Sequence, residues 1–68
     1  MMRSIKFSNK EQAVISALSN QHLTSLEILH RAEKVPHILK LYTILDTLRS
    51  KGIVNSYIKE GVKFHYAA

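Results

Sequence analysis

The sequence contains no cysteine and no tryptophan, and only one proline and two glycines in 68 residues. Without cysteine, the chain has neither a disulfide framework nor a thiolate metal site. No apolar run approaches the ~20 residues of a membrane-spanning helix, and the first residues, 1–7, lack the continuous apolar stretch of a signal peptide. We therefore expect a cytoplasmic protein with no membrane contact.

Acidic residues are also scarce, because five Asp and Glu stand against ten Lys and Arg, for a net charge of +5. A field of this sign attracts polyanions and raises the rate of encounter with them. Charge alone does not separate a nucleic-acid-binding protein from an ordinary basic one, so the positions of the cations must decide. The length and the 46% hydrophobic content fit one globular domain, 1–68, of marginal stability.

Two capping boxes mark helix starts. Ser8 precedes Glu11 by three residues, and Thr24 precedes Glu27 by the same spacing. In this arrangement each side chain accepts a hydrogen bond from the backbone N–H of the other residue. Both sites therefore predict the beginning of a helix.

The predicted order of elements is helix, short strand, helix, helix, strand, strand. The segments are an arm at 1–7, helix one at 8–19, a very short strand at 21–23, helix two at 24–33, helix three at 36–51 and a hairpin at 53–66. In helix two, the apolar spacing predicts burial of Leu26, Leu29 and Ala32. Pro36 suits the first position of helix three, and Gly52 suits a left-handed cap at its end.

The hairpin prediction comes from two segments rich in β-branched and aromatic residues, 53–58 and 62–66. Residues 59–61, which end in Gly61, form a predicted three-residue loop. Alternation along the second strand puts Lys63 and His65 on one face, which we expect to point outward. The fold class is thus α+β, three helices packed with a C-terminal two-stranded wing, as in a winged helix-turn-helix domain.

Helix three has a core side and an outer side. The core side carries Ile38, Leu41, Ile44, Leu45 and Leu48, and the outer side carries Leu39, Thr43, Asp46, Thr47 and Ser50, with Lys40 and Tyr42 at its flanks. A weakly charged face of this kind suits a DNA major groove, where threonine methyls contact thymine methyls and lysine reaches guanine. The alternative interpretation is an ordinary solvated face on a core helix.

These patterns predict a binding site for double-stranded DNA. The residues expected to face bases are His37, Leu39, Lys40, Thr43 and Thr47. The residues expected to hold phosphates are Thr24, Ser25, Arg31, Lys34, Lys59 and Lys63. The cations fall where the backbone of a docked duplex would lie, which favours DNA binding over the solvated-face interpretation.

Over nearly its whole length the chain resembles the winged helix-turn-helix domain, and locally the DNA-binding half of the ferric uptake regulator family. The matching residues are Leu41-Tyr42, Leu45, Gly52-Ile53-Val54 and Leu23-Thr24-Ser25. The resemblance implies a winged-helix fold and a base-facing role for Tyr42. Thr43 stands where that family usually has arginine, Lys40 stands in place of a threonine, and the family's dimerisation and metal-sensing domain is not expected here.

Multiple-antibiotic-resistance-type regulators share a similar leucine-rich helix and glycine-leucine-valine end. Small stand-alone winged-helix regulators of plasmids, phages and fimbrial operons match the chain equally well in size. We therefore expect a transcriptional regulator without a metal sensor.

The remaining constellations predict no chemistry. His22, His30, His37 and His65 lack the spacing of zinc ligands, although His37 and His65 near phosphates would be favoured as cations below a pKa of about 6.5. No nucleophile motif or phosphate-binding glycine loop is present. We expect no enzyme activity, no metal, no cofactor and no small-molecule ligand.

Two alternatives remain open. Apolar residues such as Ile15, Ile5, Phe7 and Leu39 exceed what one small core needs, which favours a homodimer over an arm folded across the helices. Exposed Leu39 and the acid Asp46 on the outer side of helix three also fit a protein-interaction adaptor that keeps the fold but does not read DNA.

Overall fold

The computed structural model describes residues 7–68, which form three α-helices followed by a two-stranded antiparallel sheet. The elements are α1 (Asn9–Ala17), α2 (Ser25–Arg31), α3 (Ile38–Ser50), β1 (Val54–Lys59) and β2 (Val62–Ala67). The predicted α+β class and order of elements are confirmed, and the arrangement is consistent with a winged helix. Of the predicted arm, only Phe7 lies within the described residues, where it packs half-buried against the core.

Both predicted capping boxes are present. The Glu11 N–H donates to Ser8 Oγ at 3.1 Å, and the Ser8 N–H donates to Glu11 Oε1 at 2.9 Å. At α2, Thr24 and Glu27 exchange the same pair of bonds at 3.3 and 2.9 Å. The first two helices therefore begin where local side-chain chemistry satisfies their free amides.

The prediction that Pro36 starts α3 is wrong. His37 has an extended backbone and its Nδ1 accepts a hydrogen bond from the Lys40 N–H at 3.2 Å, so His37 is the N-cap and the helix begins at Ile38. A capping acceptor at His37 moves the start two residues beyond the proline.

The predicted glycine stop of α3 is confirmed. Gly52 has φ +76°, and its N–H donates to the Arg49 carbonyl at 3.0 Å. The Ile53 N–H donates to the Leu48 carbonyl, also at 3.0 Å, which completes a Schellman motif. This turn sends the chain directly into β1.

One apolar core joins the helices and the base of the hairpin. Its buried members are Val14, Leu18, Leu23, Ile28, Ala32, Val35, Leu41, Ile44, Leu45, Leu48 and Val54. The predicted burial of Leu26 is wrong, because this side chain is 72% exposed. Leu26 lies about 200° around α2 from the fully buried Ile28, so it faces away from the core that Ile28 enters. Ile15 and Leu29 are half-buried against the core.

The hairpin turn is one residue shorter than predicted. Lys59 pairs with Val62, which makes it the last residue of β1 and leaves Glu60 and Gly61 as a two-residue loop. Their φ values are +53° and +80°, as a type I′ turn requires at both central positions. The predicted strand at 21–23 is reduced to a single bridge, in which Leu23 and His65 exchange backbone hydrogen bonds of 2.9 and 2.7 Å.

Candidate nucleic-acid interface

The outer side of α3 faces solvent. Leu39 is 70% and Tyr42 is 51% exposed, Lys40 and Thr43 are exposed, and Thr47 is half-buried. The buried stripe, Leu41, Ile44, Leu45 and Leu48, lies on the opposite side as predicted. The helix therefore presents its weakly charged face to any partner that approaches it.

The two threonines on this face use their hydroxyl protons within the helix. Thr43 Oγ1 donates to the Leu39 carbonyl at 3.2 Å, and Thr47 Oγ1 donates to the Thr43 carbonyl at 3.0 Å. Each hydroxyl keeps its lone pairs, and each side chain keeps its methyl group. The threonines are thus suited to apolar contacts and to accepting hydrogen bonds from a partner.

His37 has a structural function at the start of the same helix. Its Nδ1 caps the helix through the Lys40 amide, while the side chain stays exposed. The second ring nitrogen remains available to a partner, so capping does not conflict with the predicted base-facing position.

A cleft of ≈260 Å³ separates α3 from the hairpin. Buried Leu45 and Val54 line it, together with Tyr42, Asp46 and Arg49 from α3 and Ser56, Lys63 and His65 from the hairpin. Asn55 of β1 and Ser25, at the start of α2, complete the lining. The cleft therefore collects polar side chains from all three elements.

His65 is not on an outward face, and that prediction is wrong. It is 6% exposed, its backbone pairs with Leu23, and its Nε2 lies 3.0 Å from Ser25 Oγ. Burial lowers the pKa of His65, and the positive charges of Lys63 and Arg49 lower it further. The alternation of Lys63 and His65 was predicted correctly, but their shared face turns toward the helices. A buried neutral imidazole does not serve as the predicted cation at a phosphate.

The predicted phosphate-binding residues fall into separate places. Ser25 and Lys63 both line the cleft, and exposed Lys59 lies at the tip of the hairpin. Arg31 and Lys34 line a different, shallow depression beside α1. The Thr24 hydroxyl accepts the Glu27 amide as a helix cap.

Sequence reasoning missed Arg49 and Ser56 as neighbours of Lys63. Arg49 follows Tyr42 by seven residues, which puts both on one stripe of α3. Ser56 pairs with His65 across the hairpin, so it shares the face of Lys63. Both patterns were visible in the sequence, but only the packing of the hairpin against α3 brings the two stripes together.

The other face of the hairpin carries an aromatic cluster of His22, Tyr57, Phe64 and Tyr66. His22 Nδ1 lies 2.8 Å from the Tyr57 hydroxyl, and its ring stacks on Tyr66 at 5.0 Å between centroids. Tyr57 and Phe64 stack at 5.6 Å across the strands. These contacts hold the segment before α2 against the hairpin.

Within residues 7–68, no three His, Asp or Glu side chains gather in a way that would hold a metal ion. No helix in this part of the chain combines the length and the apolar character needed to cross a bilayer.

Neither a protein-family model nor a curated protein matches this chain.

Proposed function

We propose that this chain is a DNA-binding transcriptional regulator. Helix α3 enters the major groove with its outer face, and the hairpin lies beside it on the phosphate backbone. The predicted base-facing residues are His37, Leu39, Lys40, Tyr42, Thr43 and Thr47.

The observation that carries the proposal is the two-sided character of α3. Leu41 and Leu48 are fully buried, while Leu39 is 70% exposed. One side of the helix therefore packs in the core, and the other side faces solvent. A free face with Lys40, threonine methyls and few acids has the donors and apolar groups that base edges in the major groove recognise.

The cations support the same docking. Lys63 and Arg49 line the cleft between α3 and the hairpin, and Lys59 lies at the hairpin tip. A strand of DNA that passes α3 on the hairpin side would meet these charges along its backbone. Contacts of this kind fix register and orientation without reading sequence.

A homodimer remains part of the proposal. Two copies would read half-sites about 34 Å apart, one helical turn of DNA. Ile15 packs half-buried against the core, so it no longer supports this idea, and sedimentation of the free protein and of its complex with DNA is the direct measurement.

The experiment is an anisotropy titration of a labelled random duplex at low and moderate salt. We expect binding at low salt that weakens steeply as salt rises, because bound cations displace condensed counterions. If no duplex bound at low salt, the DNA proposal would be wrong, and the protein-interaction adaptor would be the better-supported function.

The adaptor alternative has observations of its own. Leu26 is 72%, Leu39 is 70% and Ile58 is 71% exposed, and Asp46 is exposed on α3. Apolar side chains of this size are typical of protein contacts, and a carboxylate near phosphates is unfavourable unless it accepts from a cytosine amine. Leu39→Ala removes an apolar contact and no charge. Of the substitutions on this face, it is the one expected to reduce the affinity for a protein partner most.

A further inference from the structure

The cleft between α3 and the hairpin has a positive end. Arg49 of α3 and Lys63 of β2 both line the cleft beside His65, and their charges lower the His65 pKa further after burial has lowered it. Within the described residues, no ion pair shorter than 4.0 Å joins Asp46 to either cation. The cleft thus receives one cation from α3 and one from the hairpin.

Two serine hydroxyls, of Ser25 and Ser56, line the same cleft. Ser25 Oγ lies 3.0 Å from His65 Nε2, and Ser56 is the cross-strand partner of His65. In the tautomer that carries its proton on Nε2, His65 donates to Ser25, whose own hydroxyl proton is then free for a ligand. Two positive charges and two hydroxyl groups lining one cleft form a donor set that oxyanions prefer.

The size of the cleft limits the ligand. Its volume, ≈260 Å³, is below the ~300 Å³ at which sites for drug-sized molecules begin. Leu45 and Val54 close its apolar floor. A compact anion fits within this space.

We propose that the cleft is a binding site for one tetrahedral oxyanion of the phosphate class, held by Arg49 and Lys63 with the Ser25 and Ser56 hydroxyls. The anion is either a backbone phosphate of bound nucleic acid or the phosphate of a small molecule. The site does not depend on the proposed DNA function, since the free ion is enough to test it.

The test is a titration of the ¹⁵N-labelled chain with inorganic phosphate, followed by amide chemical shifts at constant ionic strength and pH. Sodium chloride replaces phosphate in the reference series. We expect saturable shifts at Ser25, Ser56 and His65 with phosphate and none of comparable size with chloride. Shifts that do not saturate, or that chloride reproduces, would overturn the proposal.

Three charge variants sharpen the test. Arg49→Gln should weaken phosphate binding by about tenfold, since it removes a charge-assisted bidentate contact. Asp46→Asn should strengthen phosphate binding by about threefold, because it removes from the cleft lining a negative charge that repels the anion. Lys10→Gln, at an exposed position of α1 that does not line the cleft, removes the same charge as Arg49→Gln and should leave the affinity unchanged. If Arg49→Gln and Lys10→Gln reduced the phosphate affinity equally, the binding would reflect net charge alone, and the proposed site would be contradicted.

A second readout reports on the position of the anion. The His65 pKa, followed by the ring proton resonances, should rise when phosphate neutralises the field of Arg49 and Lys63. The charged groups that line the cleft with His65 are Asp46 and Arg49 on α3 and Lys63 on β2, and the Tyr42 phenol is the other titratable group there. An unchanged His65 pKa at saturating phosphate would place the ion elsewhere and overturn the proposal.

Competition with labelled duplex separates the two sources of phosphate. Displacement by phosphate beyond that by chloride at equal ionic strength, lost in Arg49→Gln, assigns the site to the nucleic-acid backbone. Phosphate binding without displacement assigns it to a small molecule. If no duplex binds at all, the proposed DNA-binding function is wrong. The titration with inorganic phosphate still shows whether the cleft binds the anion.

Discussion

Ser25 Oγ and His65 Nε2 lie 3.0 Å apart and join the start of α2 to the second strand of the hairpin. The two residues are forty positions apart in the sequence. Together with the Leu23–His65 backbone pair, this contact attaches the hairpin to the helical part of the domain.

Acidification should loosen this attachment. The pKa of His65 is lowered, first by burial and then by Lys63 and Arg49, so the folded chain favours the neutral ring. In the unfolded chain the ring protonates at its usual pKa of about 6.5. The free energy of unfolding should therefore fall as pH drops from 7.5 through 6.5 toward 5.5 and level off below the folded pKa. Urea unfolding at several pH values measures this slope.

His65→Gln should flatten that pH dependence, while His30→Gln, on the exposed side of α2, should keep it. The pKa of Glu27 is also lowered, chiefly by its hydrogen bonds to Thr24, but its contribution is lost only below pH 4.5 and does not enter this window. A wild-type slope in His65→Gln would contradict the assignment.

The hairpin turn offers a stabilising substitution. Glu60 has φ +53°, a left-handed conformation that costs a side-chain-bearing residue roughly 1 kcal/mol and that asparagine tolerates better. Glu60→Asn should raise the free energy of unfolding by about 0.5–1 kcal/mol. Thermal unfolding provides the measurement, and a destabilised variant would be inconsistent with a type I′ turn.

Gly61→Ala is the matched opposite. Gly61 has φ +80°, and a Cβ added at this position would meet no atom within 4 Å, so the cost comes from the backbone alone. We expect a loss of about 1 kcal/mol. No change in stability would mean that this turn is not held in the left-handed region.

Two leucines separated by one residue on α3 should behave in opposite ways. Leu41 is 0% exposed and Leu39 is 70% exposed. Leu41→Ala should cost about 2–5 kcal/mol, enough to unfold much of so small a domain, whereas Leu39→Ala should stay within about 0.5 kcal/mol. Circular dichroism during urea titration distinguishes the two. Comparable losses would show that Leu39 is covered.

If the chain binds DNA as proposed, variants of two lysines should change that binding in different ways. Lys40→Ala should relax base preference at one position of the site at a cost of about 1–3 kcal/mol, because it removes a contact to a base edge. Lys63→Ala should weaken binding to every sequence alike and reduce the salt slope by about 1, because it removes a phosphate contact. Selection from a random duplex pool, with salt titrations of each variant, checks both. Wild-type behaviour of both variants would exclude this docking.

Local patterns predicted most of the secondary structure. The Ser8–Glu11 and Thr24–Glu27 pairs marked two helix starts because a capping box involves only residues three apart. Gly52 ended α3 for an equally local reason, its positive φ. The errors at Pro36 and in the hairpin turn amount to one or two residues and came from competing local signals, the His37 cap and the Lys59–Val62 pair.

Burial was predicted less accurately on the short helix α2 than on α3. Seven residues give fewer than two full turns, so Leu26 and Leu29 fitted an apolar stripe as well as Ile28 and Ala32 did. Packing against α3 selected the side of Ile28 and left Leu26 in solvent. The periodicity of so few residues does not choose between neighbouring stripes.

The sequence by itself determined the helices, the hairpin and the two sides of α3, because capping, glycine conformation and apolar periodicity act over a few residues. Only the tertiary structure decided which face of the hairpin turns inward and which cations meet in the cleft. Alternation along a strand divides its side chains into two sets, but the packing of that strand on the helices chooses the set that is buried. His65 was buried and Arg49 was brought to Lys63 by that choice.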